Sequence, residues 1–86
     1  RVTGESMIDA GIHDGDLLIV DRALDPVHGN VVIAVIFGEM TVKRLARRDG
    51  RVFLEAANRD YASTEITHEM DLHIWGVCRH VVHALR

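Results

Sequence analysis

The sequence predicts a mainly β domain, and three observations predict it. β-branched runs recur along the chain, turn signals rich in Gly, Asp, Asn and Pro separate them at short intervals, and no long amphipathic helical pattern appears. About half of the residues read as strand, well above the roughly 20–25% of an ordinary globular protein.

Element by element, Met7–Ile12 has room for a short helical turn, and Asp14-Gly15-Asp16 then punctuates the chain ahead of a strand at Leu17–Asp21. Pro26 to Asn30 form the next break. The apolar run Val31–Phe37 follows, and the short link at Gly38-Glu39 folds it back onto Glu39–Leu45. Asp49-Gly50, set between alternating runs, is a hairpin signal that leads into Arg51–Ala56. Tyr61–Ser63 could hold a second helical turn, Thr64–Thr67 is a weaker strand, and an apolar stretch, Leu72–Leu85, closes the chain. As a strand, that stretch sets Ile74, Cys78 and Val82 on one face and Trp75, Val77 and Val81 on the other. Apolar groups on both faces suit a doubly buried strand, and Gly76 marks a possible bend or bulge. A terminal apolar strand with an open edge also invites pairing with a second copy.

With 86 residues, the whole of 1–86 reads as one domain. So short a chain buries only about 60% of its unfolded surface, and dimerisation is a natural source of extra stability. Cys78 is the single cysteine, so no internal disulfide forms, which fits a reducing compartment. The longest apolar run is far shorter than the ~20 residues of a membrane helix, and no signal-peptide pattern is visible. A cytoplasmic setting is the expectation. The net charge of −3 disfavours bulk nucleic-acid binding. The local basic run Lys43, Arg44, Arg47, Arg48 and Arg51 reads as a solvated hairpin end, and direct DNA contact is not expected.

The chemistry concentrates in Gly4-Glu5-Ser6-Met7 and Thr41-Val42-Lys43-Arg44. A serine hydroxyl is a weak nucleophile unless a nearby base takes its proton, and a neutral lysine can replace the usual histidine. At the reference pKa near ~10.4 only about one lysine in 2,500 is neutral at pH 7, so the base needs an apolar, water-poor site. Lys43 lies within an apolar β run that could supply one. Strand alternation gives Thr41 and Leu45 its face and turns Arg44 to the other, and parity alone does not say which cation faces inward. Ser6 sits in a Gly-containing turn able to present a hydroxyl.

Gly4-Glu5-Ser6-Met7-Ile8, Gly11-Ile12, the stretch Asp14 to Asp21, Gly29-Asn30-Val31-Val32 and Thr41 to Leu45 together resemble the LexA/UmuD family of self-cleaving Ser–Lys peptidases. The 37 positions between Ser6 and Lys43 agree with that resemblance. Gly76-Val77 and His80-Val81-Val82 with Ala84 resemble the UmuD branch more than the LexA branch. The resemblance implies a signal-peptidase-like fold of coiled antiparallel sheets, Ser6 as nucleophile, Lys43 as neutral general base and backbone N–H groups near Ser6 as the oxyanion hole. No cofactor and no metal are implied. It further implies cleavage of the protein's own N-terminal arm, promoted by a RecA–single-stranded DNA filament. A homodimer then acts with a UmuC-like translesion DNA polymerase subunit in the SOS response. Five residues precede Ser6, too few to hold the family's cleavage site, so the chain reads as the processed form or a fragment. Ala10-Gly11 resembles the residue types cut in relatives but lies inside the motif region, and is rejected as the substrate.

Other constellations carry less. His80 and His83 point to opposite faces of a strand, and no zinc-type spacing accompanies them. Cys78 reads as a small buried hydrophobe rather than a nucleophile paired with a histidine. Asp14 and Asp16 read as turn residues, Ala57-Asn58 and His13 as positions away from the chemistry, and Trp75 and Tyr61 as too scattered for base stacking. Alternatives to the processed peptidase are the C-terminal domain of a LexA-like repressor and a non-catalytic polymerase-binding module.

Overall fold

The β-branched runs pair into a single antiparallel sheet of six strands in the computed structural model, which describes residues 1–85. The strands are β1 (Leu17–Asp21), β2 (Val31–Ile36), β3 (Glu39–Arg48), β4 (Arg51–Glu55), β5 (Thr64–Glu65) and β6 (His73–Val82). Their order across the sheet is β1-β6-β2-β3-β4-β5, so the last strand of the chain inserts between the first two. The expected mainly β, antiparallel architecture is what the chain adopts.

Both hairpins turn on two residues with positive φ, the requirement of a type I′ connection. Asp49 and Gly50 (φ 52° and 77°) join β3 to β4, as Asp-Gly predicts. Phe37 and Gly38 (φ 50° and 78°) join β2 to β3, one residue earlier than the sequence suggests. An apolar residue in the first turn position disguises that reversal as strand. One further reading shifts. The short helical turn expected within Met7–Ile12 is present as a 3-10 turn at Ile8–Ala10, but Tyr61–Ser63 forms none, and the second 3-10 turn lies at His68–Met70. Around Tyr61 the backbone instead closes a turn through the Tyr61 N–H and the Asn58 carbonyl (3.0 Å).

The face assignment of the closing strand also needs correction. Pairing with β2 skips Trp75, and pairing with β1 skips Arg79, so β6 carries a bulge at each. Each extra residue reverses the alternation that follows it. Ile74 and Val77 therefore share one apolar cluster despite opposite parity, while Val81 joins another. Gly76 permits the close passage of β1, because a Cβ there would lie 2.4 Å from Val20 Cγ1.

The two clusters differ in origin. The first is built almost wholly from strands, with Val32, Ala34, Leu45, Leu54 and Val77 buried. The second packs the N-terminal segment onto the sheet: Met7, Ile12 and Ala57 are buried against Leu18, Val31, Val42 and Val81. Among the described residues no helix is long and apolar enough to cross a membrane.

Candidate active site

The segment ahead of β1, broken by positive φ at Gly4, Gly11 and Gly15, forms no strand of its own, so it is tied down through side chains and single backbone bonds. Val2 exchanges backbone hydrogen bonds with the turn before β1, to Asp16 O (2.9 Å) and from Gly15 N (2.8 Å). Asp14 Oδ1 accepts the Gly4 N–H at 2.7 Å. On the far side, Asn58 Nδ2 donates to Glu5 O (2.9 Å), Asp9 N donates to Ala57 O (2.6 Å), and the Ala57 N–H points at Met7 Sδ (3.3 Å). Met7 is one of the most deeply buried side chains, at 2% exposure, and anchors the segment in the second cluster.

Ser6 is thereby held over β3, where Lys43 Nζ lies 2.6 Å from its Oγ. The same amine donates to Val42 O at 3.1 Å. Burial pushes the Lys43 ammonium below the usual lysine value, the direction a base requires. Lys43, not Arg44, reaches Ser6. Alternation does not make that selection, because Thr41, Val42 and Lys43 in succession all line the cavity beside Ser6. The cavity has a volume of about 390 Å³, and Val2, Leu18, Ile33 and Trp75 give it apolar walls. Among the described residues, the N–H groups of Glu5, Ser6 and Met7 donate to no protein acceptor.

Asp14 and Asp16 do more than shape a turn. Asp14 secures the Ser6 segment, and the buried Asp16 (3% exposed) accepts the His13 N–H at 2.7 Å and lies 3.0 Å from His83 Nδ1. The His13 backbone bond, aided by both imidazoles, holds the Asp16 carboxyl below its ordinary value. Ala57-Asn58, which sequence reading set apart from the chemistry, contacts the Ser6 segment directly; no spacing pattern announces this, since the two links span 50 and 53 residues. Cys78 is half-buried opposite Val20, and burial pushes its thiol up, away from the reactive thiolate. The basic run is partly neutralised at its tip: Arg48 pairs with Glu55 (2.8 Å) and covers the Phe53 ring, and Arg51 lies 3.8 Å from Glu65. Among the described residues, His, Cys, Asp and Glu gather into no group able to hold a metal ion.

The sequence matches the Peptidase S24-like family over residues 1–79. The chain belongs to that family. It is 48% identical to Protein ImpA of Salmonella typhimurium over 86 residues, covering all of this chain and 58% of the relative. Protein MucA of Escherichia coli is 47% identical over 81 residues, covering 93% of this chain and 55% of the relative. The LexA repressor of Aliivibrio fischeri (strain MJ11) is 48% identical over 66 residues, covering 77% of this chain and 32% of the relative. The chain thus spans little more than half the length of the first two. Membership of a peptidase family accords with a serine and a half-buried amine brought together from opposite ends of this fold's first half.

Proposed function

We propose that this S24 domain is a serine peptidase with a Ser6–Lys43 dyad that cuts a peptide bond in its own N-terminal arm. The observation that carries the reading is the 2.6 Å contact between Lys43 Nζ and Ser6 Oγ in a partly desolvated site. As a neutral amine, Lys43 keeps one N–H on Val42 O and turns its lone pair to the Ser6 O–H. It takes the proton as Oγ attacks the scissile carbonyl, then returns it to the leaving amine. The carbonyl oxygen gains negative charge in the tetrahedral state, and the free N–H groups of the Glu5-Ser6-Met7 segment are suitable donors for it. Water then attacks the acyl-serine, with Lys43 again as base, and frees the enzyme.

The domain, taken as residues 1–86, works in this reading as the UmuD′-like product of that cleavage. Promoted by a RecA–single-stranded DNA filament, removal of the arm leaves a cytoplasmic homodimer that serves a UmuC-like translesion polymerase in SOS mutagenesis. Matches to ImpA and MucA over all or nearly all of the chain support this branch, whereas the LexA repressor match covers 66 residues. Half-exposed Leu17, Ile19 and Val82, on and beside the edge strand β1, are suited to contact with a second copy. The decisive experiment is self-cleavage of the full-length protein carrying this domain. Ser6→Ala and Lys43→Ala are each expected to stop it while leaving the protein folded; cleavage at the normal rate by either overturns the dyad.

A further inference from the structure

We infer that Asn58 is a positioning residue for the Ser6–Lys43 reaction, fixing the peptide that carries the nucleophile and its oxyanion-facing N–H. The inference rests on the dyad reading above and adds a third side chain to it.

The orientation of the Asn58 carboxamide follows from its partners. Oδ1 accepts the Asp60 N–H at 3.0 Å, closing a turn, so the amide nitrogen faces the other way and donates to Glu5 O at 2.9 Å. The Asn58 backbone carbonyl accepts Tyr61 N–H in the same turn, which holds the side chain in place from its own loop. Glu5 O takes a second, longer bond from Ile8 N (3.2 Å) within the nucleophile segment, so Asn58 supplies its tie to the rest of the fold.

The Glu5 carbonyl and the Ser6 N–H are two ends of one planar peptide. In a trans peptide they point in opposite directions, so holding the oxygen aims the N–H. The Ser6 N–H has no protein acceptor among the described residues, which leaves it open to a developing oxyanion. Donation to a carbonyl also polarises the amide and strengthens its N–H as a donor. The same plane sets the direction in which Ser6 presents Oγ to Lys43. A small rotation of this peptide therefore disturbs nucleophile and oxyanion donor together, while leaving the burial of Lys43 intact.

The test is the first-order rate of self-cleavage of the full-length protein, followed from neutral to alkaline pH, for wild type, Asn58→Ala, Asn58→Asp and Ser6→Ala. Asn58→Asp keeps an acceptor for Asp60 N–H and loses the donor to Glu5 O. Its added charge acts on the protonation of Lys43, so it is compared at its own alkaline plateau. Both Asn58 variants are expected to lose about 10- to 100-fold of the plateau rate, in keeping with misaimed catalytic groups. The pH midpoint of Asn58→Ala is expected to match wild type. A plateau within twofold of wild type for either folded variant overturns the inference. So does an upward shift of the Asn58→Ala midpoint, which would mean that the site had opened to water at Lys43. Circular dichroism at the assay temperature checks folding: if only Asn58→Ala melts, Asn58→Asp decides, and if both melt the residue is structural and the inference falls. Full-speed cleavage by Ser6→Ala would bring down the dyad itself, whereas an inert Ser6→Ala beside a full-speed Asn58→Ala refutes the role of Asn58 alone.

Discussion

The two apolar clusters of this domain bury similar side chains to different ends. The strand-built cluster around Val32, Leu45, Leu54 and Val77 holds the sheet together and includes none of the residues that tie down the Ser6 segment. The cluster around Met7, Ile12 and Ala57 presses a short irregular segment onto that sheet, and Ser6 is the residue next to its principal anchor. Regular strands satisfy their own backbone through neighbouring strands. The Ser6 segment lacks that means and borrows Asp14, Ala57 and Asn58 instead. Stability and chemistry are thus divided between the clusters, and substitutions can test the division.

The largest effects belong to the dyad. Ser6→Ala, Lys43→Ala and Lys43→Arg are each expected to slow self-cleavage by about 10³-fold or more, since arginine does not give up its proton. Gel assays of the full-length protein measure this, and an active Lys43→Arg would sink the neutral-base mechanism. Next come the anchors. Leu45→Ala and Met7→Ala should each cost about 2–5 kcal/mol in denaturant unfolding, as buried large-to-small changes do. They are expected to part company in activity: per folded molecule, Leu45→Ala cleaves normally and Met7→Ala does not. Equal cleavage by both would erase the contrast between the clusters. Gly76→Ala, which thrusts a Cβ at Val20, is expected to cost about 1–3 kcal/mol without changing the rate per folded molecule.

Two pH effects sharpen the comparison. Because burial lowers the Lys43 pKa in the folded state, the unfolded chain binds the extra proton between that lowered value and the ordinary lysine value. Stability contributed by this group therefore rises with pH across that window. Lys43→Met should remove the slope and raise the melting temperature most at neutral pH; an identical slope in both proteins would contradict a desolvated amine. Cleavage by wild type should likewise accelerate toward alkaline pH. Asp16 gives a slope of the same sign, but at acid pH. Its carboxyl is held below the ordinary value, so its contribution is present above that value and is lost as pH falls through the folded one. Asp16→Asn should flatten the acid limb of the stability curve, with melting temperature as the readout.

Much of this architecture was legible in the chain. Asp49-Gly50 announced one hairpin because only a few residue pairs accept two positive φ values, while Phe37 hid the other because its side chain speaks for a strand. Five of the six strands were readable close to their positions, and β5 as part of a weaker run. The faces of β6 were not: a bulge leaves the composition of a strand unchanged, and two of them, at Trp75 and Arg79, reverse the alternation on which a face assignment depends. For the site, the Ser6 and Lys43 motifs stood out through their neighbours and their spacing. Asn58 and Ala57 did not, because a polar residue in a turn looks the same whether it faces water or a carbonyl more than fifty residues away.

By itself, then, the sequence determined a β-rich domain, most of its turns, the family resemblance and the two motifs that carry Ser6 and Lys43. Those properties follow from local conformational preference and short motifs. Only the tertiary structure decided that Lys43 rather than Arg44 meets Ser6, that Asp14 and Asn58 brace the Ser6 segment from two sides, and that β6 distributes its apolar residues between two clusters. Each of these depends on which distant residues come within hydrogen-bonding or packing distance, and that is set by strand order and register rather than by neighbours along the chain.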